Sequence, residues 1–289
     1  MEEVPEKTHD TPHRVFFSEV RRRVEMISSI TNPKIKLVRA LQRQRRAREK
    51  ERLFVIEGLR LAIEAAEARL PARMVLHTDH LDARGRGLVN RLARLGAAVE
   101  IVSPEVMKAC SDTQSPQGLL AVLPYPEIPL PSSLTFALVL DGLADPGNLG
   151  AILRTAVAAG VEAIFLVPGT VEPFNPKVVR AAMGAHFHVP LRSAAWPNLA
   201  QSLDGLELWL ADSRDGLRYD AVDWRRPCAL IVSSEAEGPS AAASARAHSR
   251  VRIPMPGHAE SLNAALAAGV LLFEVVRQRA TAPGHNQAH

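Results

Sequence analysis

The sequence contains little cysteine and no long hydrophobic run. Cys110 and Cys228 are the only two cysteines among 289 residues, and they form no C-x-x-C pair. This argues against a disulfide framework or a zinc site and suits a reducing compartment. No segment approaches the roughly 18 consecutive apolar residues of a transmembrane helix, and residues 1–7 lack the hydrophobic region of a signal peptide. We therefore expect a cytoplasmic protein without membrane contact and without a bound metal.

Lysine is scarce as well. Only 6 of the 35 basic residues are lysines, and the formal net charge is +4. Arginine favours bidentate phosphate contacts, but a GC-rich coding bias explains the same excess. Apolar residues make up 47% and charged residues 23% of the chain, which is the usual balance for a globular protein. At about 150 residues per domain, the length predicts two domains.

The positive charge is concentrated in residues 34–52. This segment holds nine basic residues and two acidic ones, a local charge of +7. Asn32 and Pro33 provide a helix start, and Ile35, Val38 and Leu41 recur at helical spacing, so the segment predicts one amphipathic helix. A solvated surface helix and a phosphate-binding surface both fit this pattern. The candidate phosphate contacts are Lys34, Lys36, Arg39, Arg43, Arg45 and Arg46.

Strands and helices alternate through the rest of the chain in two series. The first predicts a compact α/β unit over residues 26–124, after a leader of residues 1–25. A proline-rich spacer follows at residues 125–134. The second series, residues 135–280, has near-continuous apolar strands typical of a parallel sheet, and residues 281–289 form a tail.

Three segments that follow predicted strands carry polar residues, at the edge where α/β sheets bind ligands. Residues 141–156 combine an Asp/Pro/Gly turn with a helix start and include Asn148 and Arg154. Residues 230–240 are rich in small residues around Glu235, and residues 251–265 form a stiff loop before the last helix. Each also has a structural explanation, namely a capped helix, a turn with solvated acids, and tight helix packing. The patterns of dinucleotide-binding and P-loop sites are missing.

Together these segments resemble the SpoU (TrmH-type) RNA 2′-O-ribose methyltransferases of the SPOUT superfamily. The shared motifs are N-x-G-x-x-x-R, S-E-x-E-G-P-S and I-P-M-x-G-x-x-E-S-L-N-A-A, in this order. The resemblance implies a C-terminal α/β domain with a parallel sheet and a deep trefoil knot. Residues 54–65 are similar to the family's smaller N-terminal domain, an α/β/α unit like small RNA-binding ribosomal proteins. Family members dimerise through the catalytic domain, so a homodimer is expected.

The resemblance also implies a reaction and a set of site residues. The family transfers a methyl group from S-adenosylmethionine to a ribose 2′-hydroxyl in RNA. Arg154 is the main catalytic candidate and also an RNA contact, because its high pKa makes it a poor base but a good phosphate ligand. Glu235 is an alternative base. The other implied catalytic residues are Asn148, Ser261 and Asn263, and the implied cofactor residues are Ser233, Ile253, Leu262, Met255 and Gly257.

Two departures from the family pattern leave alternatives open. Ser233 and Ala236 stand where the family usually has glycines, so they either narrow or strain the cofactor pocket or are tolerated. A non-catalytic RNA-binding or ribosome-assembly factor is therefore one alternative, and a transfer RNA methyltransferase or an antibiotic-resistance enzyme are others. Ribosomal RNA is the preferred substrate. His186 and His188, in a predicted strand, are interpreted as structural residues.

Overall fold

The computed structural model describes residues 26–234 and 236–281 and contains two β-sheets. The predicted leader, Glu235 and all of the predicted tail except Thr281 lie outside the described residues. Within the described ranges, no helix has both the length and the apolar composition that crossing a bilayer requires.

The N-terminal half is a four-stranded mixed sheet with helices on both faces. Its strands lie in the order β1-β4-β2-β3. Alternate residues of β1 point to opposite faces, so Phe54 packs in the core under α3 and α4, whereas Val55 packs in the core under α1 and α5. The expected α/β/α layering is therefore present. The elements are α1 (Pro33–Arg43), α2 (Arg45–Glu51), β1 (Leu53–Glu57), α3 (Leu59–Glu67), β2 (Met74–His77), α4 (Ala83–Arg94), β3 (Ala98–Ile101), α5 (Pro104–Cys110) and β4 (Leu119–Pro124).

The C-terminal half is a seven-stranded sheet in which every ladder is parallel, as predicted. Its strands lie in the order β7-β6-β5-β10-β8-β11-β9. The sheet is buried between two apolar clusters, which explains the continuous apolar runs of β5 and β10. The elements are β5 (Phe136–Asp141), α6 (Pro146–Ala158), β6 (Ala163–Leu166), α7 (Pro176–Ala182), β7 (Leu191–Ser193), α8 (Trp196–Leu199), β8 (Glu207–Ala211), β9 (Leu217–Arg218), β10 (Cys228–Ser233), α9 (Ala241–Arg246), β11 (Ser249–Arg252) and α10 (Ala264–Ala280).

The basic segment differs from its prediction, because it forms two helices and not one. Gln44 adopts an extended conformation between α1 and α2. Behind this break Arg48 is only 4% exposed, and its guanidinium binds the 8%-exposed Glu172 at 2.8 and 2.5 Å. A continuous amphipathic helix of charged residues would hold Arg48 in solvent, whereas the break lets it reach across to the C-terminal half.

The sequence predicts a strand at His186 and His188, and this prediction is wrong. Ala185–Phe187 form a short 3-10 helix, in which the buried His186 donates from Nε2 to the carbonyl of Pro173 at 2.6 Å. Aromatic rings surround this position, and Tyr125 stacks on Phe174 with 3.7 Å between ring centroids. This cluster and the Arg48–Glu172 pair join the two halves of the molecule.

Candidate active site

A cavity of about 290 Å³ opens at the carboxyl ends of β8, β10 and β11, beside the start of α10. This is the edge where parallel sheets bind ligands. Five of the residues that the sequence motifs indicated line it together, although they come from separate segments of the chain. They are Ser233, Ile253, Met255, Ser261 and Leu262.

The floor of the cavity is apolar, and its rim is polar. Val232, Val251 and Leu271 lie beneath it, and Ala264 and Ala267 keep the first turn of α10 slim. The small residues of α10 therefore make room for a ligand as well as for helix packing. An apolar floor beside the backbone groups of strand ends suits a flat heteroaromatic ring.

The backbone at the end of β10 tolerates a residue other than glycine at Ser233. Among the described residues, non-glycine residues with positive φ are Arg52, Arg69 and Met183, so Ser233 does not adopt the left-handed conformation. Gly238 carries it instead, with φ +70°, and its N–H donates to the Ser234 carbonyl at 2.9 Å. Backbone strain, one of the two alternatives for this position, is therefore absent at Ser233.

A hydrogen bond between two asparagines joins the first and third motifs. The Asn263 amide donates from Nδ2 to Oδ1 of Asn148 at 2.9 Å. Asn263 also caps α10, because its Oδ1 accepts from the N–H groups of Ala265 and Leu266 at 3.0 and 3.3 Å. Both predicted side chains thus fix the start of α6 to the start of α10 beside the cavity.

Arg154 does not line this cavity. It lies exposed on α6, and its guanidinium has no hydrogen bond or ion pair within the described part of the chain. At Gly150, one turn earlier on α6, an added Cβ would come within 2.4 Å of the Ala181 Cβ, so α6 and α7 pack closely there. Gly257 is likewise exposed and outside the lining, and Glu235 lies outside the described residues.

Sequence reasoning missed Asp141, a carboxylate that is 2% exposed at the end of β5. Its Oδ1 accepts from Trp196 Nε1 at 3.1 Å and from Ser240 Oγ at 3.0 Å, and its Oδ2 accepts from the Ser240 N–H at 2.7 Å. The backbone carbonyl of Asp141 also accepts from the Ser234 N–H at 3.2 Å. One residue therefore fastens both ends of the loop that follows β10. An aspartate that ends an otherwise apolar strand was the available signal.

The basic surface is smaller than its sequence suggests. Lys36, Arg43 and Arg46 are exposed, and Arg39 is partly buried. Lys34 pairs with Glu100, and Arg45 donates to Glu49 at 2.7 Å, which raises the pKa of Arg45. Among the candidate phosphate contacts, the exposed cations without an acidic partner in the described ranges are therefore Lys36 and Arg43 on α1 and Arg46 at the start of α2. No group of three or more His, Cys, Asp or Glu side chains in the described ranges could hold a metal.

Comparisons with known proteins agree with this architecture. Residues 135–273 match the SpoU rRNA Methylase family, and residues 32–121 match the MRM3-like substrate binding domain. The chain is 32% identical over 254 residues to the 23S rRNA (guanosine(2553)-2′-O)-methyltransferase RlmP of Bacillus subtilis, covering 87% of this chain and 99% of that protein.

Solved structures give the same result. The fold is similar to an AdoMet-bound rRNA methyltransferase from Sinorhizobium meliloti, with a TM-score of 0.78, 31% identity, and 88% of this chain and 97% of that chain covered. It is also similar to the SpoU methyltransferase AviRb from Streptomyces viridochromogenes in complex with AdoMet, with a TM-score of 0.76, 26% identity, and 86% and 99% covered. The chain therefore belongs to the SpoU rRNA methylase family.

Proposed function

We propose that the protein transfers a methyl group from S-adenosylmethionine to a ribose 2′-hydroxyl of ribosomal RNA. The observation that carries this proposal is the cavity at the ends of β8, β10 and β11, because Ser233 from the second motif segment meets Ile253 and Leu262 from the third there. The similar S. meliloti structure is described as AdoMet-bound, and RlmP is named for a ribose methylation of 23S rRNA.

The cavity fits the adenosyl part of this cofactor. Its apolar floor can cover the adenine ring, and the strand ends offer backbone N–H and C=O groups for the polar edge of the ring. Ser233, Ile253 and Leu262 would hold it mainly through the backbone, with Met255 beside them. When bound, the cofactor supplies an electrophilic methyl group. Gly257, which lies outside the lining, keeps only a supporting role in the loop before α10.

The polar groups beside the cavity orient the RNA. A guanidinium keeps its proton in proteins, so Arg154 binds phosphate and polarises the hydroxyl and does not act as a base. Asn148 and Asn263 hold each other in place, and Ser261 at the cavity rim can accept a hydrogen bond from the ribose. Glu235 remains our candidate for assisting proton loss.

We assign RNA binding to the N-terminal half and catalysis to the C-terminal half. The proposed division is an RNA-binding domain at 26–124, a linker at 125–134 and a methyltransferase domain at 135–280. The match to a substrate binding domain at 32–121 and the separate sheets support it. The RNA contacts proposed on this domain are Lys34, Lys36, Arg39, Arg43, Arg45 and Arg46.

We further propose a homodimer that forms through α10. Leu266, Val270 and Phe273 are 62%, 38% and 48% exposed and follow one another at helical spacing of four and three residues. This apolar stripe is unusual on a surface otherwise rich in charge. The exposed Arg154 lies on α6, which packs beside α10, so a second copy on this face would bring its own cavity towards Arg154.

The strand order supports the trefoil knot, and the two cysteines support a cytoplasmic location. After β8 and β9 the chain returns to insert β10 between β5 and β8, and α10 then packs on the earlier helix α6, as a trefoil knot requires. Cys110 and Cys228 are free and buried, which supports a reducing compartment such as the cytoplasm.

Mapping of 2′-O-methyl groups in total RNA from strains with and without the gene tests the function. We expect loss of one or a few positions in ribosomal RNA and their return when the wild-type gene is restored. An Arg154→Ala copy should not restore them. Loss of methylated positions in transfer RNA alone would identify transfer RNA as the substrate in place of ribosomal RNA. An unchanged map in all RNA would support the non-catalytic alternative.

A further inference from the structure

The mouth of the cavity is formed in part by a rigid turn after β8. Asp212 Oδ1 accepts from the N–H groups of Arg214 and Asp215 at 2.8 and 3.1 Å, and its Oδ2 binds the guanidinium of Arg250 on β11. Burial raises the pKa of Asp212, but these donors outweigh it and hold the pKa below its usual range. Gly216 has φ +113° and lies against the backbone of Arg250, where a Cβ would come within 2.4 Å. The turn is therefore fixed against β11.

Arg214 extends from this fixed turn and lines the cavity. Its side chain is exposed, and its guanidinium has no hydrogen bond or ion pair with any residue that the structure describes. The carboxylate of Asp212, two residues earlier, is already committed to Arg250, and that of the adjacent Asp215 accepts from the Gly216 N–H at 2.8 Å. The turn thus presents an unpaired guanidinium at the cavity, at a position that the three family motifs do not include.

The lining of the cavity holds one further unpaired charge. Glu260, in the loop before α10, also lines the cavity without an ion pair in the described ranges. The described remainder of the lining is uncharged, apart from the committed Asp212. A ligand with one anionic and one cationic group at the same end matches this arrangement. Its uncharged ring system would enter the apolar interior, because burying a charge there is costly.

We propose that Arg214 binds the carboxylate of the amino-acid end of S-adenosylmethionine and so selects cofactors that carry this end. The inference rests on the proposed function, because it takes the cavity as the cofactor site. A guanidinium fork matches a carboxylate with two parallel hydrogen bonds. Glu260 supplies the complementary charge for the ammonium group. Arg214 is a binding residue in this account and takes no part in methyl transfer.

Two ligands that differ only in the amino-acid end test the proposal. S-adenosylhomocysteine carries this end, whereas 5′-methylthioadenosine lacks it, and both have a neutral thioether. Calorimetric titration of Arg214→Ala should show about tenfold weaker binding of S-adenosylhomocysteine, with the affinity for methylthioadenosine within about twofold of the wild type. Arg214→Lys should lose only part of the affinity, because it keeps the charge but not the fork.

Arg218→Ala is the matched control. Arg218 is also an exposed arginine in the same part of the chain, but it pairs with Asp220 and does not line the cavity, so both affinities should stay at wild-type values. Equal effects of Arg214→Ala on both ligands, or no effect on either, would overturn the role of Arg214 and leave the function standing. Failure of wild-type protein to bind either ligand would reject the cofactor site itself, and the inference with it.

Discussion

Asp141 shows how one buried side chain can organise a site that it does not enter. Its carboxylate accepts three hydrogen bonds from uncharged donors of Trp196 and Ser240. Ser240 in turn caps α9 by accepting from the Ala243 N–H at 3.1 Å. The loop between Ser234 and Ser240, which forms one wall of the cavity, is therefore held to β5 at both ends.

We expect Asp141→Asn to weaken both the fold and cofactor binding. The amide keeps one acceptor but turns an N–H towards a donor, which costs about 1–3 kcal/mol when the group is buried. Urea unfolding should show this loss, and titration with S-adenosylmethionine should show a lower affinity. Asp223→Asn, at an exposed aspartate outside the cavity, is the control and should change neither. An unaltered free energy of unfolding in Asp141→Asn would contradict the clamp.

His186, which lies in the cluster that joins the two halves of the molecule, makes the free energy of unfolding depend on pH. Complete burial lowers its pKa from 6.5 to about 4, against the smaller opposing effect of the hydrogen bond to Pro173. Between pH 4 and pH 6.5, His186 is therefore protonated in the unfolded chain and neutral in the folded chain. The contribution of the neutral, buried His186 to the free energy of unfolding is complete above pH 6.5 and is lost as the pH falls towards 4.

We expect the free energy of unfolding to fall by up to about 3 kcal/mol between pH 7 and pH 4 on account of this residue. Denaturant unfolding at several pH values measures it. His186→Phe retains a ring among Phe54 and Phe174 and should flatten this part of the profile. The same slope in wild type and variant would show that His186 does not titrate as proposed.

Secondary structure elements differ in how readily their sequences predict them. The strands β5 and β10 are continuous apolar runs because both faces are buried, and the caps Asn32 and Asn263 mark helix starts by residue type. By contrast, β9 and β11 are short and carry arginines, and β7 has only three residues, so period and hydropathy did not indicate them. They are strands because parallel neighbours supply their hydrogen bonds.

The same contrast applies to the site. The motifs indicated Ser233, Ile253, Met255, Ser261 and Leu262, and these line one cavity because strand ends of a parallel sheet meet at one edge. The break at Gln44 and the burial of Arg48 depend on Glu172, which lies 124 residues further along the chain. A pattern of neighbouring residues does not predict a contact between two residues that lie so far apart in the sequence. Charge counting therefore identified the basic segment but not which of its cations stay in solvent.

At the element scale, α1 and α4 offer a direct test of the RNA surface. Both carry exposed basic residues, but α1 covers one face of the N-terminal sheet and α4 the other. The double variant Lys36→Ala/Arg43→Ala should reduce the slope of log affinity against log salt by about 1.5, because two phosphate contacts are lost.

Arg84→Ala/Arg94→Ala on α4 removes the same charge from the opposite face and should leave the slope near its wild-type value. RNA binding measured at several salt concentrations decides between the surfaces. An equal reduction of the slope in both double variants would assign the effect to net charge. A reduction in the α4 variant alone would place the RNA on the other face of the N-terminal sheet.

At the scale of the whole molecule, the position of Arg154 bears on the number of chains that form one active site. Arg154 is exposed on α6 and is absent from the lining of the cavity in its own chain. The apolar stripe of Leu266, Val270 and Phe273 lies on the neighbouring α10. A two-fold dimer through this stripe brings the same surface of both copies into contact, and we propose that each Arg154 reaches the partner's cavity in it.

Mixed dimers distinguish a shared site from a site within one chain. Arg154→Ala and Ser233→Phe, which fills the cavity, should each be inactive as homodimers. A mixed dimer isolated with two affinity tags should recover about half of the wild-type activity, because one intact cavity then receives one intact Arg154 from the other chain. Inactive mixed dimers would place Arg154 at the cavity of its own chain. Phe273→Asp should give a monomer in light scattering and, since the shared site is then lost, should abolish methyl transfer while leaving binding of 5′-methylthioadenosine in place.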